Sequence, residues 1–139
     1  NVIITNGKIK NPLFNLFSIS GKGSWFKANK NPINSRKQWI SGALQVKGRI
    51  FIDEGAEKAI LRGNSILPAG VVKTDGRYDK GDLINIVNNN GKILGKGLSH
   101  YSSIEVNLVK GFKSKKMEEI LGYRGKDEII HKDDYVLEE

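Results

Sequence analysis

Five Gly-Lys pairs, at residues 7–8, 21–22, 91–92, 95–96 and 125–126, could place backbone N–H groups and an ammonium around a phosphate. A nucleotide-cradling loop needs Gly-x-x-x-x-Gly-Lys followed by Ser or Thr, so that loop, lysine and hydroxyl converge on the phosphates and their metal. None of the five is followed by either residue, and Gly21-x-Gly23 and Gly95-x-Gly97 are half-motifs that turn geometry explains. The two histidines, His100 and His131, stand far apart with no partner at metal-ligand spacing. His131 beside Asp133 and Asp134 fits an acid/base cluster, and equally a surface histidine hydrogen-bonded to its neighbours. Asp53-Glu54 and Asp79 with Asp82 pair carboxylates at positions where cap and turn roles suffice. Cysteine is absent, which excludes disulfides and thiolate chemistry. No nucleophile, base and oxyanion site assemble, and the expected set of catalytic, cofactor-binding and metal-ligating residues is empty.

Binding chemistry has more to work with. Residues 63–70, Gly-Asn-Ser-Ile-Leu-Pro-Ala-Gly, join a helix to a strand through small side chains that allow close backbone approach to a ligand. Lys58 and Arg62 precede this loop and Lys73 follows it. Together with Gly63, Asn64, Ser65, Pro68 and Gly70 they form a candidate RNA-binding set, with Tyr78 and Tyr101 as stacking faces. The same residues also fit a β-barrel turn, with Leu67 and Val71 in the core and the cations solvated. A formal net charge of +8 favours an anionic partner, yet charge alone also serves solubility.

The elements that would hold these residues are short. Residues 1–7 read as a buried strand ending in an Asn-Gly turn. Leu13, Phe14, Leu16 and Phe17 are spaced for one face of a short helix, and residues 23–26 form another apolar stretch. These pieces are too few to close a core, and the chain opens mid-strand without Met, so a remnant of a larger domain is expected. Residues 27–34 are polar and linker-like, and residues 35–41 begin a new extended stretch. Residues 49–52 read as a strand. Asp53 then caps a helix with Glu54 and Glu57 in its first turn, a stripe of Ala56, Ala59 and Ile60, and Gly63 as its stop. Val71 and Val72 resume a strand. Asp75-Gly76 and residues 88–91 read as hairpin turns. Ser102 and Glu105 have capping-box spacing, and Ser114 is placed to cap a helix presenting Met117, Ile120 and Leu121 and stopped by Gly122. One last strand is expected within residues 128–137. No apolar run reaches the roughly 20 residues that span a bilayer, so a soluble chain without membrane contact is expected.

Eight stretches in order resemble the carboxy-terminal part of the bacterial glutamate 5-kinases. They are Gly23-Ser-Trp-Phe26, Ser35-Arg-Lys-Gln-Trp-Ile40, Ile52-Asp-Glu-Gly-Ala56, Ile66-Leu-Pro-Ala-Gly-Val71, Tyr78-Asp-Lys-Gly-Asp82, Gly97-Leu-Ser-His-Tyr-Ser-Ser103, Ile120-Leu-Gly-Tyr-Arg124 and Glu128-Ile-Ile-His131. The resemblance implies a mainly β chain with short helices (α+β). Residues 1–26 would be the strand–helix–strand remnant of an α/β amino-acid-kinase domain, 27–47 a linker and connector, 48–122 a PUA domain with a pseudo-barrel, and 123–139 a tail. It implies a cytoplasmic parent enzyme that transfers phosphate from ATP, with Mg²⁺, to the γ-carboxyl of L-glutamate, the first step of proline biosynthesis. The family's Gly-Gly-Met-type nucleotide motif does not occur here, so no cofactor site is carried over to this piece, which is expected to modulate the kinase rather than perform chemistry. Trp25 stands where the family has a smaller apolar residue. Expected partners are the chain's own kinase domain and further copies meeting through residues 1–40, with RNA binding as the alternative.

Overall fold

The computed structural model describes residues 2–16, 22–27, 37–40, 42 and 45–138, without the side chains of residues 13 and 15. Phe17, Gly21 and residues 28–36, which carry part of the expected helix face and most of the expected linker, lie outside the described residues. The chain divides into two compact units, 1–32 and 33–139.

The first unit holds β1 (Val2–Thr5), α1 (Pro12–Leu16) and β2 (Gly23–Phe26). Proline at the first helical position fits α1, because its missing N–H would have no intrahelical partner there. β1 and β2 pair antiparallel with Val2 opposite Phe26 and Ile3 opposite Trp25. The expected buried strand is instead exposed: Val2 and Ile4 are each 60% accessible and Trp25 is 68%. A two-stranded ribbon has no second layer of its own to cover its faces.

The second unit is built on a five-stranded sheet of order β4-β3-β5-β6-β7. Its strands are β3 (Gly48–Ile52), β4 (Val71–Gly76), β5 (Leu83–Asn88), β6 (Ile93–Leu98) and β7 (Tyr135–Leu137). β3 and β5 run parallel and the other neighbours antiparallel. Period-2 alternation divides the two faces, interrupted by a register shift between Ile86 and Val87 that leaves Leu94 on the main-core side. Ile50, Ile52, Ile84, Ile86 and Leu94 point into the main core, while Leu83 and Leu98 point to the other face. Helices α2 (Glu54–Leu61), α3 (Ser103–Val109) and α4 (Met117–Leu121) accompany the sheet. Ile60 of α2, Val106 and Val109 of α3, and Met117 of α4 join the main core. The tail closes this core: Ile129 and Ile130 are buried, and an antiparallel bridge pairs Ile130 with Ile66.

Three expectations are corrected. Residues 37–40 are helical, not extended, and Ile40 is buried against Leu83, Leu98 and Val136 on the sheet's second face. Asp75-Gly76 ends β4 without forming a hairpin, because β4 and β5 flank β3 on opposite sides. Asp75 there meets Arg49 across the ribbon at 2.7 Å. The turn after β5 is a true hairpin, in which the Asn88 side-chain oxygen accepts from the Asn90 and Lys92 amides. Ser114 does not cap α4; its hydroxyl donates to the Asp127 carbonyl at 2.7 Å and so anchors the tail.

Candidate ligand groove

Helix α2 starts at Asp53, whose Oδ1 accepts the Ala56 amide at 2.7 Å, the cap predicted from sequence. The Asp53 amide donates to the Gly70 carbonyl at 3.0 Å, tying the start of the helix to the far end of the 63–70 loop. At the other end Gly63 takes φ +80° and the Asn64 amide returns to the Ala59 carbonyl. The buried Tyr135 hydroxyl lies 2.9 Å from the Ile60 carbonyl and 3.0 Å from that of Asn64, so its single proton sits between two acceptors just after α2. Pro68 opens a 3₁₀ turn (Pro68–Gly70), and the Gly111 amide after α3 donates to the Pro68 carbonyl. Helix and loop are therefore held at both ends.

Between them lies an open groove of about 590 Å³. Its apolar lining comes from Gly55, Ala56 and Ala59 of α2 and Leu67, Ala69 and Gly70 of the loop, with Asp53, Asn64 and Ser65 as polar lining. Close approach makes Gly70 obligatory, since a β-carbon there would stand 2.5 Å from that of Ala56. The volume is in the range of small-ligand sites, roughly 300–1,000 Å³.

Of the ten residues expected at an RNA site, Asn64, Ser65 and Gly70 line this groove. Gly63 and Arg62 follow the end of α2, both exposed, and Pro68 is buried beneath the turn. Lys58 is paired with Glu54 at 2.7 Å. Lys73 lies over the Phe51 ring, 5.4 Å from its centroid, on β4. Tyr78 and Tyr101 are each only 2% exposed and offer no stacking face. Tyr78 bonds Thr74 Oγ1 at 2.6 Å and Tyr101 donates to the Lys126 carbonyl at 2.5 Å. Burial, foremost, raises both phenols above the ordinary range. Both rings are core pillars whose polar tips find partners inside the fold. Leu67, expected in the core if this were only a turn, is 47% exposed on the groove wall, while Val71 is buried. Residues 53–73 hold three acids and three cations. Asp53 is the charged side chain in the groove's lining, and Lys58, Arg62 and Lys73 are not among the residues that line it. Sequence reading missed Gly55, Ala56, Ala59 and Ala69, whose signal was small residues on one helix face opposite a small-residue turn.

The histidines are arranged differently from the sequence expectation. His100 Nε2 lies 3.1 Å from Asp134 Oδ2, and Nδ1 is 3.9 Å from Glu128 Oε1. Asp134 therefore partners His100, and His131 faces Asp133 at 3.6 Å. These contacts fasten the tail to the loop after β6. Among the described residues, no group of three His, Asp or Glu is placed to hold a metal, and no helix is long and apolar enough to cross a membrane.

The mixed sheet, with a helix between β3 and β4 and a groove where that helix meets the following loop, defines a class. A PUA domain model matches residues 48–121, just over half of the chain, and the chain belongs to the PUA domain family. Across nearly its whole length it is similar to glutamate 5-kinases. It is 49% identical over 137 residues to that of Thermoanaerobacter pseudethanolicus and 46% identical over 137 residues to that of Caldanaerobacter subterraneus subsp. tengcongensis. Each alignment takes in 98% of this chain and 37% of the relative, so the chain spans little more than a third of those enzymes. A solved PUA domain from Aeropyrum pernix aligns over 61% of this chain and 42% of its own, with 23% identity and a TM-score of 0.45.

Proposed function

We propose that this chain is part of a cytoplasmic glutamate 5-kinase, and that its PUA unit binds and modulates while phosphoryl transfer occurs elsewhere in the enzyme. The observation that carries the first half is the 49% identity over 98% of the chain. The groove carries the second. Its charged lining is the Asp53 carboxylate, which repels a triphosphate. Phosphoryl transfer is mostly positioning and charge stabilisation, and the groove supplies neither to a γ-phosphate. The test compares the complete enzyme with a version ending before Gly48. Glutamate-dependent ADP formation should survive the truncation at similar kcat, while its response to effectors changes. Turnover by the 139-residue chain alone would sink the proposal.

A second reading, RNA recognition, is favoured by the groove itself. An unstacked base is flat, of fitting size, and presents edges that Asn64, Ser65 and Asp53 can bond. Ala69→Trp, which fills the groove from an exposed position, should then weaken binding of a labelled single-stranded RNA at least tenfold. Unchanged binding removes the groove from that role.

A further inference from the structure

Burial of Tyr78 and Tyr101 and the balanced charge around the groove leave the RNA reading without stacking rings or a phosphate grip where sequence placed them. Both features occur together in another segment of the chain. Residues 110–126 hold six cations, Lys110, Lys113, Lys115, Lys116, Arg124 and Lys126, against two carboxylates, Glu118 and Glu119. Among the described residues, Lys113, Lys115, Lys116, Arg124 and Lys126 have no ion pair, unlike Lys58 and Arg49, which are matched by Glu54 and Asp75. The same segment exposes two aromatic rings, Phe112 and Tyr123, each 46% accessible.

The backbone beneath these side chains is fixed. Lys113 precedes and Lys116 ends a 3₁₀ turn (Ser114–Lys116), closed by the Lys116 amide on the Lys113 carbonyl at 2.9 Å. Lys115, Arg124 and Lys126 line one concavity of about 330 Å³, together with Glu118 and Asp127, so cations exceed acids there three to two. The 124–127 loop is pinned from within: the buried Tyr101 hydroxyl donates to the Lys126 carbonyl, and Ser114 Oγ donates to that of Asp127. Tyr123 is also held, because its hydroxyl donates to Glu105 Oε1 at 2.5 Å. Preorganised charge and rings lose little entropy on binding. The segment also adjoins the groove, through the bond from the Gly111 amide to the Pro68 carbonyl.

We propose that the 110–126 face is a track for single-stranded RNA, with Lys113, Lys115, Lys116, Arg124 and Lys126 on phosphates and Phe112 and Tyr123 stacking bases. This rests on the RNA reading of the module and moves its affinity from the groove to a face not previously assigned. Cations that follow the backbone, interleaved with aromatic platforms, are how sequence-tolerant single-strand sites are built.

The 139-residue chain is titrated into a labelled oligouridine of roughly 12 nucleotides, within the span of known single-strand sites, at low and at physiological salt. The variants are the triple change Lys113→Glu, Lys115→Glu, Lys116→Glu at exposed positions, the ring variant Phe112→Ser, and the groove variant Ala69→Trp. Thermal midpoints check that each folds. The expected result is a loss of at least tenfold for the triple variant, with the salt slope flatter by about two, since each single-strand phosphate contact contributes roughly 0.7. Phe112→Ser should weaken binding with the slope unchanged. Wild-type binding that the triple variant retains in full would overturn the track and leave the groove reading to stand or fall with Ala69→Trp. Absence of wild-type binding up to millimolar protein would overturn the RNA reading itself.

Discussion

Gly95 shows how one missing side chain sets the closure of the second unit. It pairs with Leu137, and a β-carbon on it would run into the Val136 carbonyl and stand 2.8 Å from the Leu137 Cα. The obstruction is backbone, which cannot rotate aside as a side-chain end could. Gly95→Ala should cost about 1–3 kcal/mol, the usual range for overpacking a fitted site. It should also expose the β7 amides to exchange while those of β3 and β5 stay protected. An unchanged urea midpoint would show that β7 tolerates displacement. Tyr123 is informative in another way. Its bond to the Glu105 carboxylate, ahead of desolvation, pushes its phenol up to about 12. A folded-state value above the ordinary 10.0 means that this contact stabilises in full below pH 10 and is lost as pH rises through about 12. Ultraviolet titration should show the exposed tyrosine, Tyr123, ionising late, and Glu105→Gln should return it toward the ordinary range.

Helix α3 is an element whose ends decide it. At seven residues it is too short to persist by propensity. It combines a buried pair, Val106 and Val109, with a complete capping box: the Ser102 hydroxyl accepts the Glu105 amide, and Glu105 Oε2 accepts the Ser102 amide at 2.8 Å. Ser102→Ala should cost on the order of 1 kcal/mol, read as a lower denaturant midpoint. The cap also sets a pH dependence. Burial pushes the Glu105 carboxyl up, but bonds from the Tyr123 hydroxyl and from Ser102 outweigh it, and the net value lies below the ordinary 4.5. The sign follows directly: the cap's contribution is present above 4.5 and disappears as pH falls through the lower folded-state value. Glu105→Gln should remove that part of the acid sensitivity, and an unaltered acid profile would place the sensitivity in another carboxylate.

Charge organises the whole molecule. The first 47 residues contain eight Lys and Arg and no Asp or Glu, whereas residues 48–139 hold fifteen of each sign. The net charge thus belongs to the first unit and its connector, and the PUA unit is neutral overall with locally basic and acidic stretches. Val2, Ile4, Trp25 and Phe26 are exposed, and two copies meeting through residues 1–40, as proposed from the sequence, would bring like charges together. Self-association should therefore strengthen as salt screens the repulsion over a Debye length of about 10 Å near 0.1 M. Light scattering across a salt series reads this directly. Mass that falls with added salt would point to an acidic partner surface instead.

The sequence by itself determined the parts that depend on neighbours along the chain. The caps at Asp53 and Ser102, the stops at Gly63 and Gly122 and the hairpin after Asn88 all follow from local rules: a side-chain oxygen two or three residues from an amide, a glycine at positive φ, an alternation of period two. The family resemblance was legible in the same way, in motifs such as Ile66-Leu-Pro-Ala-Gly-Val71. Tertiary structure alone decided which of those residues reach a ligand. Tyr78 and Tyr101 have the composition of stacking platforms, yet they are core, because Thr74 and the Lys126 carbonyl offer partners inside the fold. Phe112 and Leu67 look like core residues and face solvent. The pairing of His100 with Asp134, thirty-four residues on, and the approach of β7 to Gly95 arise only when the tail returns to the sheet. Local rules fix conformation within a few residues; burial depends on what the chain brings back from far away, and the surface left for binding is what that return does not cover.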